Sequence, residues 1–487
     1  MKYRNTLFTR SEAISGQSLS VACLMVGVML SARLEAAEAA PPSPTRDSSA
    51  VIESVPFSGF KMLGYVSPRS SEDVQASRWG MNLHLADFSR PGGEACLNLL
   101  ARTGVKWGRI YLEPEDFNAN GSTRFDLLLE GLKKHRITPF VTFPTPTKAS
   151  TNAVPTFQEM VRKVVQKYKD RVAYWEIFNE PNLGGKKMPA EVYAEYVKGG
   201  AEAIKAVDPT AKVIGGSVAH VDPAFLQGMM DAGAGLYLDI LTFHPYADLP
   251  EYEKCEPAAY PKMRSLLAGV KNRIALWQGE CGYPSAANSS GFKGTGPWSD
   301  RIQGKWITRR LMTDLSEDLP VSVYYELRHN ADGRNSKGLL LLTGADATPK
   351  FGYFTLAYCA GVFDNRFNEL KKPQDVFNLV DEGSFSGQSA LAIKCVAAGG
   401  PQGDIFAYWL PVRMGDSIRA GRVGLKLSNA NIKDPVLVDL LEGRVYQIPV
   451  KTETGGGLVF ANLPLADYAF ALVSRDQVKR QPDPYRP

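Results

Sequence analysis

The chain has 487 residues, of which 44% are hydrophobic and 22% are charged, which excludes a disordered or fibrous protein. Lysine and arginine outnumber aspartate and glutamate by only five (56 against 51), and no stretch concentrates that excess, so nucleic acid is not an expected partner. The five histidines and six cysteines are scattered without a CxxC or HxxxH pair, so we predict neither a metal site nor a cofactor.

Residues 1–39 have the pattern of a secretory signal peptide. Three basic residues stand near the start, residues 19–30 form a nearly unbroken apolar run, and Ala37 and Ala39 suit a cleavage site. The apolar run is shorter than the roughly 20 residues that a membrane-spanning helix needs. We therefore expect a secreted or periplasmic protein with no membrane span after signal removal. Five cysteines then remain, so at least one thiol should be free.

Residues 40–75 are predicted to be a linker followed by a possible first sandwich strand. The part up to about residue 55 is rich in proline, serine and charged residues and has little to bury. Residues 56–66 carry enough aromatic and apolar side chains to add a strand to a later β-sheet domain.

Residues 76–365 alternate short β-branched or aromatic runs with longer amphipathic ones, the pattern of a parallel βα sheet. Eight short runs qualify as strands, and their starts lie 28 to 47 residues apart: Trp79–Leu85, Trp107–Leu112, Ile137–Phe143, Val172–Ile177, Ala211–Gly216, Ile240–Phe243, Ile274–Gln278 and Val321–Tyr325. Eight units match a barrel better than a doubly wound sheet, which usually has fewer strands and often a glycine-rich phosphate loop. The predicted fold class is therefore α/β, a (β/α)8 TIM barrel.

After the eighth strand, residues 351–363 are predicted to form the last helix of the barrel. Residues 366–475 then change to short alternating runs separated by turns, which predicts a C-terminal antiparallel β-sandwich domain. Such a domain either binds polysaccharide or only packs against the barrel, and we favour packing. Residues 476–487 are predicted to be a disordered tail.

Catalytic groups of parallel barrels project from the C-terminal ends of strands, so the strand ends locate the candidate site. The fourth run ends in Asn179-Glu180-Pro181, and the seventh is followed by Gly279-Glu280. Two carboxylates on opposite sides of one pocket can act as a proton donor to a leaving oxygen and as an anion facing the reacting carbon. That division of work is the chemistry of glycoside hydrolysis.

With these motifs, residues 76–365 resemble clan A of the glycoside hydrolases. The segments WEIFNEPN and LTFHPY and the following sandwich are most similar to family 39 and its relatives. The resemblance implies that Glu180 is the acid/base and Glu280 the nucleophile. It also implies roles for five further residues: Asn179 as a hydrogen-bond donor to the sugar 2-hydroxyl, Arg109 as the cation that keeps the nucleophile ionised, and His84, His244 and Tyr246 as pocket-lining contacts.

The eighth run departs from the family pattern. Relatives often place a tryptophan there as the stacking floor of the sugar site, whereas this chain reads VSVYYELRHN. Tyr325, Glu326 and Trp298 are the candidates to replace it, and Trp298 and Tyr325 are included among the predicted substrate-binding residues. Because the floor decides which sugar fits, the identity of the sugar stays open.

Several of these residues have a structural alternative. Glu176 should lie deeper on the same strand face as Glu180, as a buried acid paired with an arginine or lysine. Arg109 could be that partner instead of a catalytic one. His84 and His244 could be wall residues that never titrate. Cys281 could bond Cys255 or stay a free buried thiol.

The leading functional hypothesis is a secreted, retaining β-glycosidase or endo-glycanase acting on an oligosaccharide or polysaccharide. For that mechanism the Glu180 and Glu280 carboxyls should lie about 5–5.5 Å apart, and the pKa of Glu180 should be raised. The alternative from another class is a catalytically inactive carbohydrate-binding barrel protein. An inverting glycosidase is conceivable from the carboxylates alone, and an acyl hydrolase lacks its GxSxG motif.

Overall fold

The computed structural model describes residues 57, 59–89, 91–113, 123–146, 148–184, 187–247, 259–271, 273–286, 296–328, 336–343, 346–372, 374–386, 392–452 and 457–487. The predicted signal peptide, the linker up to residue 56 and Cys255 therefore lie outside the described residues. Among the described residues, no helix is both long and apolar enough to cross a membrane.

A closed barrel of eight parallel strands confirms the predicted fold. Its strands are β2 (Trp79–His84), β3 (Trp107–Tyr111), β4 (Thr138–Thr142), β5 (Tyr174–Glu176), β6 (Lys212–Ala219), β7 (Ile240–His244), β8 (Ala275–Cys281) and β9 (Ser322–Tyr324). Each overlaps one of the eight predicted runs. The ring closes where β9 pairs with β2, which makes residues after β9 neighbours of β2.

Within the described residues, nine α-helices flank the strands. They are α1 (Leu85–Phe88), α2 (Gly93–Ala101), α3 (Thr123–Lys134), α4 (Val154–Tyr168), α5 (Ala190–Val207), α6 (Pro223–Asp231), α7 (Ala259–Ala268), α8 (Asp300–Ser316) and α9 (Phe351–Val362). Proline opens the first turn of α4 and α6, where its missing N–H costs nothing. Ser299 caps α8 by accepting the backbone N–H of Ile302. The predicted closing helix at 351–363 is α9.

The lower half of the barrel interior is filled by apolar side chains. Phe140, Ile214, Ile240, Trp277 and Val323 belong to this cluster, and all are buried. Trp277 is thus a core residue and not a sugar platform, as its position before the strand end predicts. Because the lower half is packed, the polar side chains of the strands gather in the upper, C-terminal half.

The C-terminal region forms two antiparallel sheets, as predicted. The larger sheet contains β12 (Glu369–Lys371), β14 (Lys394–Gly400), β15 (Gly403–Trp409), β21 (Phe470–Ser474), β17 (Pro435–Asp439), β18 (Arg444–Gln447), β1 (Lys61–Val66) and β22 (Arg480–Gln481) in that order. The smaller sheet contains β13 (Gln374–Asp381), β16 (Ala420–Ser428), β20 (Leu458–Ala466) and β19 (Lys451–Thr452). A short hairpin, β10 (Leu340–Thr343) and β11 (Asp346–Pro349), precedes α9. The strand expected within 56–66 is β1, paired with β18.

The sandwich packs against α8 and α9 of the barrel through enclosed polar contacts. Lys305 of α8 forms an ion pair with Asp467 at 3.0 Å, and both side chains are fully buried. Arg309, one turn further along α8, donates to the Val412 carbonyl, and Thr355 of α9 donates to the Leu441 carbonyl. We call this contact region the joint.

The prediction of a disordered tail at 476–487 is wrong. Residues Arg480–Gln481 form strand β22 and pair with Tyr65 and Val66 of β1. The Tyr485 hydroxyl donates to the Arg102 carbonyl, and its ring packs edge-on against Phe354. The sequence QVKRQPDPYRP is polar and proline-rich, but the unpaired edge of β1 and one tyrosine anchor are enough to order it.

Candidate active site

Strand ends from around the ring bring the predicted residues together at the C-terminal mouth. Arg109 lies on β3, Glu176 ends β5 and Glu180 follows it, while His244 ends β7 and Glu280 lies on β8. The pairing of β8 with β9 shifts register between Gln278 and Cys281, so a bulge sets the direction of Glu280.

Arg109 is the centre of the site and is almost completely buried. Its Nε donates to Glu176 at 2.8 Å, one terminal nitrogen donates to Glu280 at 2.7 Å, and the other donates to Asn179 at 2.7 Å. The terminal nitrogen that donates to Glu280 also donates to Asn82 at 3.1 Å. Arg109 therefore fulfils both alternatives, since it pairs with the deep acid and with the proposed nucleophile.

Glu176 is the buried structural acid that the strand alternation predicts. Its side chain is fully enclosed, and Thr142 and Thr242 each donate a hydroxyl to it at 2.6 Å. Burial raises the pKa of Glu176, but Arg109, His244 and the two hydroxyls outweigh burial, so the pKa lies below its ordinary value. Glu176 thus stays ionised and fixes Arg109 from below.

The backbone around Glu180 is strained and held in place by hydrogen bonds. Phe178 and Glu180 have φ of 69° and 49°, the left-handed region that L-residues seldom adopt. The Glu180 N–H donates to the Ser217 carbonyl at 2.9 Å, and the Asn179 N–H donates to the Thr145 hydroxyl at 2.9 Å. This local conformation turns the Glu180 carboxyl toward His244, whose Nδ1 lies 3.0 Å from it.

Glu280 faces Glu180 across the pocket. In addition to the hydrogen bond from Arg109, Glu280 accepts a hydrogen bond from the Tyr246 hydroxyl at 3.0 Å. One carboxylate oxygen of each glutamate and one ring nitrogen of His244 all lie within 4.8 Å of one another. Gly282 follows, where a Cβ would stand 1.8 Å from the Tyr325 carbonyl, so only glycine permits this close passage.

The electrostatics of Glu180 differ from the sequence expectation. Burial raises the pKa of Glu180. The hydrogen bond and charge of His244 and the charge of Arg109 outweigh burial, so the pKa lies below its ordinary value. The expectation of a raised pKa for Glu180 is therefore wrong, because the His244 contact was not foreseen.

Glu180, His244 and Glu280 are also residue types that bind divalent cations. In this pocket, however, Arg109 and Tyr246 already donate to the two oxygens of Glu280. A guanidinium at that distance competes with a second cation for the same carboxylate. The donor arrangement therefore suits a pair of working carboxylates better than a metal site.

A second polar wall stands where β2 meets the segment after β9. His84 Nε2 lies 2.7 Å from Glu326, and the Tyr325 ring packs edge-on against the His84 ring at 5.7 Å between centroids. The Lys337 ammonium lies 5.8 Å from the Tyr246 ring centre and 6.0 Å from that of Tyr325. His84, Tyr246 and Tyr325 thus share the pocket that sequence reasoning predicted for them.

Trp298 is the predicted site residue that the structure does not connect to the others. It lies just before α8, half-buried against the main core, and its buried indole N–H meets no acceptor among the described residues. No hydrogen bond or ring contact joins Trp298 to either glutamate within the described chain. Cys281, beside the proposed nucleophile, is a buried free thiol whose Sγ donates to the Pro245 carbonyl.

Sequence reasoning missed Ser217 and Lys337. Ser217 contacts both Arg109 and His244 at 3.3 Å, from a bulge in β6 where Gly216 and Ser217 have positive φ. The Gly215-Gly216 pair was a signal for that bulge, since glycines inside a strand often mark one. Lys337 lies far beyond β9 in sequence, and no local pattern connects it with the pocket.

A closed (β/α)8 barrel followed by a packed β-sandwich is also the fold of solved glycoside hydrolases of family 39. The chain superposes on a family 39 glycoside hydrolase from the gut symbiont Bacteroides cellulosilyticus WH2 with a TM-score of 0.60 and 19% identity, covering 82% of this chain and 81% of that one.

Two further solved structures share the fold. A monomeric β-xylosidase from Caulobacter crescentus CB15 matches with a TM-score of 0.51 and 15% identity, over 84% of this chain and 97% of that one. A family 39 enzyme from Xanthomonas axonopodis pv. citri matches with a TM-score of 0.50 and 14% identity, over 85% and 96%.

Sequence comparison alone gives a shorter match. A 6-phospho-β-glucosidase of Clostridium longisporum is 26% identical over 170 residues, which cover 30% of this chain and 34% of that protein. The chain thus spans about a third of the length of this curated relative. No protein-family model matches the chain.

Proposed function

We propose that this protein is a secreted, retaining glycoside hydrolase that cleaves β-linked glycosides or polysaccharides. The observation that carries the proposal is that one carboxylate oxygen of Glu180 lies within 4.8 Å of one carboxylate oxygen of Glu280 at the barrel mouth. Retaining enzymes hold their carboxyls about 5–5.5 Å apart, whereas inverting enzymes need roughly 6.5–9.5 Å to admit a water. Secretion is inferred from the signal pattern of residues 1–39.

Glu280 is the proposed nucleophile. Arg109 and Tyr246 donate to its two oxygens, which fixes the orientation of the carboxylate toward the anomeric carbon. Attack on the anomeric carbon breaks the glycosidic bond, and the leaving oxygen takes the proton of Glu180 as the covalent glycosyl-enzyme forms. Glu180 then takes a proton from a water that displaces Glu280, which gives net retention.

Glu180 is the proposed acid/base. Its side chain is 19% exposed. A bound sugar would exclude the remaining water, and burial is the influence that raises the pKa of this carboxyl. Substrate binding is thus expected to promote the protonated form that the first step needs.

Asn179, His84, Tyr246 and Tyr325 are the proposed sugar contacts, and Trp298 is retained as a candidate for a more distant contact. Asn179 accepts from Arg109 through its side-chain oxygen, which leaves its amide NH₂ for a sugar hydroxyl.

The decisive experiment is a screen of aryl β-glycosides and polysaccharides with the purified protein. The names of the similar proteins make xylosides, glucosides and 6-phosphoglucosides the first probes. NMR of the first-formed product should show the β-anomer. An α-anomer would overturn the retaining mechanism. Binding of oligosaccharides without any turnover would favour the inactive carbohydrate-binding barrel.

A further inference from the structure

One charged contact in the pocket has no place in the mechanism proposed above. Glu326 lies two residues after the end of β9, and its side chain is only 2% exposed, whereas the His84 side chain is 39% exposed at the mouth. The closest nitrogen and oxygen of the two lie 2.7 Å apart. The Leu327 N–H donates to the Asn82 carbonyl, which ties the segment after β9 to strand β2.

A buried carboxylate needs a cationic or hydrogen-bonding partner to compensate for lost hydration. His84 contacts Glu326 directly, and Lys337 lies close enough for its charge to interact with Glu326 as well. The glutamate of this pair is therefore buried, whereas the imidazole is exposed to the sugar site.

We propose that Glu326 is a positioning residue that holds His84 as a charged imidazolium on the wall of the sugar site. This inference rests on the proposed function. An imidazolium donates from both nitrogens and accepts from neither. With Nε2 facing the Glu326 carboxylate, the Nδ1–H is the group that can donate to a sugar oxygen. Deprotonation removes this donor, so His84 should bind substrate more tightly in its protonated form.

The other charges around His84 are consistent with this state. Burial lowers the pKa of His84, but Glu326, and more weakly Asp87 and Glu280, raise it above its ordinary value of 6.5. Asp87 lies on α1, next to His84, and pairs with Arg328 at 2.6 Å.

The proposal predicts where substrate affinity is lost as the pH rises. A raised pKa means that the charged form persists above pH 6.5 and disappears as the pH passes the shifted value. In Glu326→Gln only the effect of burial and weaker charges would remain, so the titration should move down by about one unit or more.

Imidazole NMR of the full mature chain tests this without depending on any enzymatic activity. The His84 signals are identified by their absence in His84→Gln, and their titration is compared between wild type and Glu326→Gln. Asp87→Asn is the matched control, since it removes a nearby buried carboxylate that does not contact His84. The expected order of the His84 pKa is wild type, then Asp87→Asn, then Glu326→Gln. Equal titrations in wild type and Glu326→Gln would overturn the proposal.

Kinetics give the second arm once a substrate is found. At pH 7 we expect Glu326→Gln and His84→Gln each to raise KM about 10-fold, with the double variant no worse than either. In wild type, the increase in KM should occur at a pH above 6.5, where His84 loses its proton. In Glu326→Gln the same increase should occur at a pH below 6.5. A loss in kcat with an unchanged pH profile of KM would mean a purely structural role and would also overturn the proposal. Absence of turnover in wild type would contradict the proposed function alone, because the NMR arm still decides the pairing.

Discussion

Two regions of this molecule contain buried ion pairs, and they differ in how completely those pairs are enclosed. At the joint, Lys305 and Asp467 are fully buried, and the lysine also donates to the Gly415 and Ser417 carbonyls. At the mouth, Arg109 is buried to a similar degree, but its partner Glu280 keeps 12% of its side chain exposed.

The difference separates a structural role from a catalytic one. The ammonium of Lys305 is surrounded by protein acceptors, so the pair can only join the sandwich to α8. Arg109 is anchored from below by Glu176 and presents Glu280 to an open pocket, where the carboxylate can meet a ligand. Burial and charge alone would not distinguish the two sites.

The largest expected effect is at the mouth. Glu280→Ala should lower turnover of every substrate by about 10⁴-fold or more, because it removes the proposed nucleophile. Initial rates on an activated aryl β-glycoside measure this. Asp467→Asn is the matched control from the joint, assayed below its melting temperature. Similar losses in both variants would abolish the distinction between the two regions.

Glu180→Ala should give a loss that depends on the leaving group. Substrates with a good leaving group need little protonation, so their first step should be spared, while poor leaving groups should lose about 10²–10⁴-fold. Added azide should restore the second step and give a β-azide product of retained configuration. If azide instead restored the rate of Glu280→Ala with an inverted product, and did not restore that of Glu180→Ala, the roles assigned to the two glutamates would have to be exchanged.

The sequence predicted the eight barrel strands and the carboxylate positions because both depend on local patterns. The β-branched runs and the Asn179-Glu180-Pro181 motif are visible within a few residues. The sequence could not predict the pKa direction of Glu180, because that depends on His244, which is 64 residues away along the chain. The ordered tail was missed for the same reason, since its partner β1 lies more than 400 residues earlier.

A smaller effect, confined to stability, is expected at the joint. Lys305→Met leaves the Asp467 carboxylate buried without its cation, which should cost about 3–5 kcal/mol of unfolding free energy. Lys163→Met is the matched control, because Lys163 and Glu159 form a solvent-exposed pair on α4 that should contribute little to stability. Denaturant unfolding measures both variants. Turnover per folded molecule should stay within about twofold of wild type. A loss of kcat in the folded Lys305→Met protein would show instead that the joint influences the active site.

The smallest expected effect is the pH dependence of stability near the joint. Asp439 accepts the Leu441 and Glu442 N–H groups and the Tyr468 hydroxyl, and burial together with Glu442 raises its pKa to about 7. The folded protein therefore binds this proton more tightly than the unfolded chain, whose aspartate pKa is near 3.9. Stability from this group is complete below about pH 4 and declines as the pH rises toward 7. Asp439→Asn, which is neutral at every pH, should remove about 2–3 kcal/mol of the difference in unfolding free energy between pH 5 and 7.5. The exposed Glu159→Gln should leave that difference unchanged, and an undiminished difference in Asp439→Asn would place the titrating group elsewhere.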